Sequence, residues 1–176
     1  MEMKLNVLQA EREPGQEFGF AFNTTAEALD AQLESENGSL NGEVKVEGTL
    51  YFTGQAFRLA GKVICEKSFV CDRCLGAFVQ PQEYAFSEDF CRESEDAAVI
   101  NDDDSGMDSF AGEAIDITPL IRDTILTAQP LRNLCRPDCR GLCSRCGADL
   151  NEGECGCDRR SIDPRLAALQ DFLKNS

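Results

Sequence analysis

The stretch CRPDCRGLCSRCGADLNEGECGC, residues 135–157, puts six cysteines into 23 residues of a chain with ten cysteines and no histidine. A block of that density is a disulfide framework, a thiol-exchange site or a metal site. The start MEMKLNVLQAEREPG has neither the basic opening nor the apolar run of about 7–15 residues that a secretory signal needs. No stretch approaches the roughly 18 apolar residues of a membrane helix. The expected location is therefore the cytoplasm, where closely spaced thiols bind metal more often than they oxidise.

Zinc takes four ligands in a tetrahedron, and two cysteines in a tight C-x-x-C turn offer two sulfurs to one ion while backbone N–H groups donate to them. CSRCG, with Cys143 and Cys146, has that form, and Gly147 stands where a left-handed turn residue is wanted. Cys155 and Cys157 follow across the turn-rich GADLNEGE, so these four make a compact, ribbon-like site. Cys135 and Cys139 remain, with Cys71 and Cys74 of CDRC far upstream. Neither pair completes a tetrahedron alone. Together they do, and they would clamp the C-terminal segment to the part of the chain that carries CDRC. The favoured reading is two zinc sites; a single site drawn from four of the six clustered thiols is the alternative. CDRC also suits a redox pair, but it runs on into strand-like sequence rather than into a helix start. Cys65 reads as a strand residue, and Cys91 fits neither knuckle.

A length of 176 residues suits one hydrophobic core, or one core with a small appended module. GEVKVEGTLYF, FRLAGKVICEKSFV and FVQPQEYAFSEDF are rich in β-branched and aromatic residues with partial alternation, which predicts an antiparallel sheet. Seven acidic residues in 93–108 predict a solvated loop. In DITPLIRDTILTAQP, Asp116 or Thr118 can cap a helix, Pro119 suits its first turn, and Ile117, Leu120, Ile121, Thr124 and Ala128 share a face. Asp163 and Pro164 start a second helix with Leu166, Leu169, Phe172 and Leu173 as its stripe. The expected class is α+β: an antiparallel β-sheet body with a few helices and a C-terminal cysteine-rich, zinc-ribbon-like module. The expected boundaries are 1–92 for the β-rich body with its knuckle, 93–112 for the acidic loop, 113–134 for the helix, and 135–176 for the zinc module and last helix.

The net charge of −15 argues against coating a nucleic acid by phosphate neutralisation. The charge is uneven, because residues 1–129 carry 9 Lys/Arg against 25 Asp/Glu and residues 130–176 carry 8 against 7. Contacts with RNA, or with a carboxylate-rich partner, would fall to Arg132, Arg136, Arg140, Arg145, Arg159 and Arg160 around the knuckles, although the same residues also serve solubility and charge balance. With no histidine, phosphate loop or G-x-G-x-x-G, and with all-cysteine sites usually closed to substrate, an enzyme is not expected.

The sequence resembles the YceD-like family of bacteria and plastids, associated with accumulation of large-subunit ribosomal RNA. The resemblance covers most of the chain from about residue 40 and rests on VCDRCLGAF, IDITPLIRDTILTAQPLRNLC and CRGLCSRCGADLNEGECGCDRRSIDPRLAALQDF. It implies a non-catalytic role in ribosomal RNA processing or stability and in large-subunit assembly, with ribosomal RNA or a large-subunit ribosomal protein as partner, and neither DNA nor membrane. An acidic chaperone for a basic ribosomal protein and a thiol- or metal-handling protein are the alternatives.

Overall fold

The computed structural model describes residues 2–29, 38–93 and 107–158. The chain divides into two compact units, one of Met1–Val70 and Ala77–Asn133, the other of Cys71–Gly76 and Leu134–Ser176. The cysteine unit thus starts inside the sheet's own sequence, at a turn, rather than only at residue 135. The C-terminal helix expected from Asp163 onward lies outside the described residues, as do Arg159, Arg160 and most of the acidic stretch.

In the first unit a short strand β1 (Lys4–Asn6) and helix α1 (Leu8–Arg12) precede β2 (Glu17–Thr25) and a 3-10 turn at Ala26–Leu29. Three long strands follow: β3 (Ser39–Phe52), β4 (Phe57–Val70) and β5 (Ala77–Arg92). They form a sheet of order β2-β3-β4-β5-β6, antiparallel except at its edge, where β6 (Asp108–Phe110) pairs parallel with β5. The acidic segment expected as loop over 93–112 therefore contributes a strand, because Ser109 and Phe110 pair with Cys91 and Arg92 and Phe110 is buried. The remaining strand β7 (Ala114–Asp116) pairs with β1.

Alternation decides which face is the core. Along β4 the odd residues Phe57, Leu59, Val63, Cys65 and Phe69 are buried, and Val44, Val46, Leu50, Tyr84, Phe86 and Phe90 meet them from β3 and β5. Gly48 and Gly61 face each other across β3 and β4, and a Cβ on Gly48 would stand 2.6 Å from the Ala60 carbonyl oxygen and 2.7 Å from the Phe20 ring. Only glycine leaves room for that ring. At the sheet edge Arg92 forks onto Glu11 at 2.8 and 3.0 Å while its guanidinium lies within 6 Å of the Phe57 and Phe110 rings (5.9 and 5.7 Å).

Helix α2 (Thr118–Thr127) follows the proline start expected for it. Asp116 accepts the Thr118 N–H at 2.9 Å, while the Thr118 hydroxyl accepts the Met3 N–H at 2.9 Å. Of the expected face Ile117 and Ile121 are fully buried, Leu120 and Thr124 are half-buried and Ala128 is exposed, while Thr118 and Ile125 join the buried side. The Thr124 hydroxyl turns back to the Leu120 carbonyl, and Ala128 is already past the helix end.

The same alternation places a lysine in the core. Lys67 is fully buried, its Nζ has no hydrogen-bond partner among the described residues, and the Phe69 ring centroid lies 5.7 Å away. Burial holds its pKa below the ordinary 10.5, with the Cys65 thiol opposing. An unpaired buried amine forfeits its hydration, so Lys67→Met should stabilise the protein by about 1–3 kcal/mol. In the folded wild type the amine binds fewer protons than in the unfolded chain, so wild-type stability should rise with pH toward 10.5 and the variant's should not. Urea unfolding at a series of pH values reads both effects.

Candidate metal centre

Two hydrogen bonds close the turn that joins β4 to β5. The Cys71 N–H donates to the Gly76 carbonyl and the Leu75 N–H to the Cys71 carbonyl, both at 2.9 Å. The same pair of bonds recurs in the second unit's own chain: Cys143 N–H to the Ala148 carbonyl at 2.8 Å, Gly147 N–H to the Cys143 carbonyl at 2.9 Å. CDRCLG and CSRCGA are thus one turn used twice, each with arginine in its third place. The fifth residue lies in the left-handed region in both, at φ 74° for Gly147 and 59° for Leu75. Glycine accepts this freely; leucine does not.

The turns aim backbone N–H groups at sulfur. The N–H groups of Cys135, Cys74 and Arg73 hold the Cys71 thiol down to about 6 against the effect of burial. Those of Cys146 and Arg145 hold Cys143 down to about 6 likewise. Desolvation and hydrogen bonding to neighbouring thiols push Cys135 up to about 12. Hydrogen bonds to Cys146 and Cys155 do the same to Cys157, also to about 12. Each group therefore combines an N–H-stabilised thiolate with a thiol that keeps its proton.

The sulfurs gather into two fours. Cys71, Cys74, Cys135 and Cys139 form one cluster and Cys143, Cys146, Cys155 and Cys157 the other, with all sulfurs in each within 4.8 Å of one another. Two cross-pairs of the first, Cys71 with Cys139 and Cys74 with Cys135, lie at 3.8 Å. A tetrahedron with metal–sulfur bonds of about 2.3 Å has edges of about 3.8 Å, so this first cluster matches in size. Arg73 laces its halves, its Nη1 donating to the Cys139 carbonyl at 2.8 Å. In the second, Gly156 at φ 71° turns the chain between Cys155 and Cys157. The described part of this unit has one antiparallel bridge, Leu142 with Asp149, in place of a ribbon's strands. Cys65 is buried in β4 with its thiol pushed up by that burial, and half-buried Cys91 lies in β5. Neither belongs to either of these two clusters.

The arginines divide. Arg136 reaches Asn151 at 2.8 Å and Asp138 at 3.6 Å, and Arg140 reaches Glu154 at 2.9 Å. Arg132 and Arg145 are exposed and form no ion pair among the described residues. Sequence reasoning passed over Arg73 and Asn151. The repeated C-x-R-C was a signal for Arg73; Asn151 had none, because its role is set by contacts eleven or more residues away.

A β-sheet protein whose hairpin turn supplies half of a four-cysteine cluster, with a second such cluster close by in sequence, is the class these features define. The chain belongs to the YceD family: the family model for the large ribosomal RNA subunit accumulation protein YceD matches residues 59–173. It is 27% identical over 173 residues to the uncharacterized protein YlbN of Bacillus subtilis, covering 98% of this chain and 97% of that one. An uncharacterized protein of Mycobacterium tuberculosis is 27% identical over 175 residues, covering 97% of this chain and 81% of the relative. A Zea mays protein named large ribosomal RNA subunit accumulation protein YCED homolog 1, chloroplastic, is 40% identical over 65 residues, which is 36% of this chain and 22% of the relative. No solved structure matches the chain.

Exchanging Leu75 for glycine removes the left-handed penalty, offset in part by glycine's greater freedom when unfolded. Leu75→Gly should stabilise the 71–76 turn by about 1 kcal/mol, seen as roughly fivefold slower exchange of the Leu75 and Cys71 amides. Unchanged exchange would mean that the turn does not strain leucine.

Proposed function

We propose that each four-cysteine cluster holds a zinc ion and that the chain is a non-catalytic factor in the processing and accumulation of large-subunit ribosomal RNA. Sulfur geometry supports the metal half of this reading: the four sulfurs of each cluster lie within 4.8 Å of one another, two pairs of the first stand at the 3.8 Å edge of a zinc tetrahedron, and backbone N–H donors are aimed at Cys71 and Cys143. Four sulfur ligands fill a zinc coordination shell, which leaves no position for a reacting water and suits a structural ion. Family membership supports the ribosomal half, together with the printed names of the plant relatives. Among the described residues no helix is long and apolar enough to cross a membrane.

Partner contact falls to Arg145 at the tip of its knuckle and, in the other unit, to Arg132, since Arg136 and Arg140 are tied into their own unit. The overall charge of −15 favours a second reading beside direct RNA contact, a chaperone whose acidic surface shields a basic large-subunit protein.

Elemental analysis should find about two zinc ions per chain, and Cys71→Ser should remove about one while exposing the segment around residues 134–139 to protease. Zinc should be retained at pH 8 and lost progressively on acidification, because protons compete with the metal for the cysteine thiolates. A chain that folds and survives acid without zinc would end the metal reading.

The ribosomal reading is tested in cells and in solution. A deletion strain should lose mature large-subunit RNA before small-subunit RNA; normal levels of both would sink it. Arg145→Glu should lower the salt slope of RNA binding by about one if RNA is the partner, and leave capture of a basic ribosomal protein unchanged if the acidic surface does the work.

A further inference from the structure

We propose that Asn151 couples the two cysteine clusters, so that they gain and lose metal as one cooperative unit; this rests on the metal reading above. Asn151 lies on the loop between Cys146 and Cys155, which closing of the Cys143–Cys157 cluster holds in place. Its side chain reaches the other cluster: Nδ2–H donates to Cys139 Sγ at 3.4 Å. The second Nδ2 hydrogen goes to Asp149 Oδ1 at 2.7 Å. Oδ1 accepts the Arg140 N–H and the Arg136 guanidinium, each at 2.8 Å.

Two donors and two acceptor positions are all an amide has, and all four are used. The arrangement also fixes the amide's direction. Reversed, it would set oxygen against a sulfur and a carboxylate, and NH2 against an N–H and a guanidinium. Arg136 and Arg140 bracket Cys139 in sequence, so the same amide that donates to the sulfur also pins the backbone turn presenting it.

The backbone supplies a second link. Only Arg140, Gly141 and Leu142 separate Cys139 of one cluster from Cys143 of the other. Leu142 N–H donates to the Arg73 carbonyl at 3.0 Å, and the Gly141 carbonyl accepts Leu150 N–H at 2.9 Å. Gly141 sits at φ 73°, where a Cβ would stand 2.8 Å from the Arg73 oxygen. This peptide is therefore held by the first knuckle on one side and by the Asp149–Asn151 loop on the other.

Metal at the first cluster would fix Cys139 Sγ in place, and with it the Asn151 amide and the loop that leads to Cys155 and Cys157. Linkage makes the effect reciprocal, so an ordered loop favours the placed Cys139 by the same factor. A plain loop brace would instead support only its own cluster.

The test uses the full-length zinc-loaded chain with stepwise chelator, followed by native mass spectrometry. At half removal the wild type should populate the two-zinc and metal-free forms, with the one-zinc form scarce. Asn151→Ala should raise the one-zinc fraction about tenfold, and Asn151→Asp, which turns a second oxygen toward Cys139, should do so at least as strongly. In a Cys71→Ser background, which keeps only the local cluster, Asn151→Ala should leave zinc retention unchanged. A wild type that passes mainly through the one-zinc form, or an Asn151→Ala loss that is equal in both backgrounds, overturns the coupling. A chain that never carries zinc instead sinks the metal reading beneath it.

Discussion

The hydrogen bonds from Cys71 N–H to the Gly76 carbonyl and from Leu75 N–H to the Cys71 carbonyl place two demands on one short piece of backbone. They close the hairpin whose register, Val70 opposite Ala77 and onward to Phe57 opposite Phe90, sets which side chains of β4 and β5 enter the core. A slip of one residue would turn every one of those side chains to the other face. The same bonds orient the N–H groups of Arg73 and Cys74 toward the Cys71 sulfur. Leu75 takes φ 59° at the same place in its turn as Gly147 at φ 74° in the other, so the shared turn geometry rather than the residue type sets the left-handed backbone there.

Polar groups inside the cysteine unit are occupied largely with one another. Arg73, Arg136, Arg140, Asp149 and Asn151 link its loops, and among the described residues of this unit only Cys71, Cys139, Cys143 and Leu150 are buried hydrophobics. Few buried groups among the described residues offset the entropy of ordering them, which supports the proposed cross-linking ion. In the first unit the balance is reversed: an extensive apolar core accompanies even the buried Lys67 amine, which has no hydrogen-bond partner among the described residues.

Much of the fold was legible because its signals are local. Alternation in residues 42–90 marked the long strands, and the Asp-Ile-Thr-Pro start marked α2. The edge strand Asp108–Phe110 was not legible: three residues in an acidic stretch become a strand only by pairing with β5. The buried face of α2 kept Ile117 and Ile121 but took in Ile125 in place of Ala128, because a helical stripe is completed by what it packs against, which periodicity does not contain. Lys67 reads as a solvent-facing residue by type, and only the pleat of β4 turns it inward.

By itself the sequence determined the chemistry available to this protein: ten thiols without histidine, two C-x-R-C turns whose geometry follows from a few bonded neighbours, and a charge balance that leaves the acidic excess in residues 1–129. Spacing also limits which thiols can pair locally, since Cys143 to Cys157 close within 15 residues. Sequence could only suggest, by what each pair lacked, that Cys71 and Cys74 join Cys135 and Cys139; tertiary structure brings those sulfurs together across some sixty residues, and it alone decided that Asn151 from one cluster's loop donates to a sulfur of the other. Local bonding has a range of a few residues, so contacts across long loops exist only once the whole chain has paid the entropy of closing them.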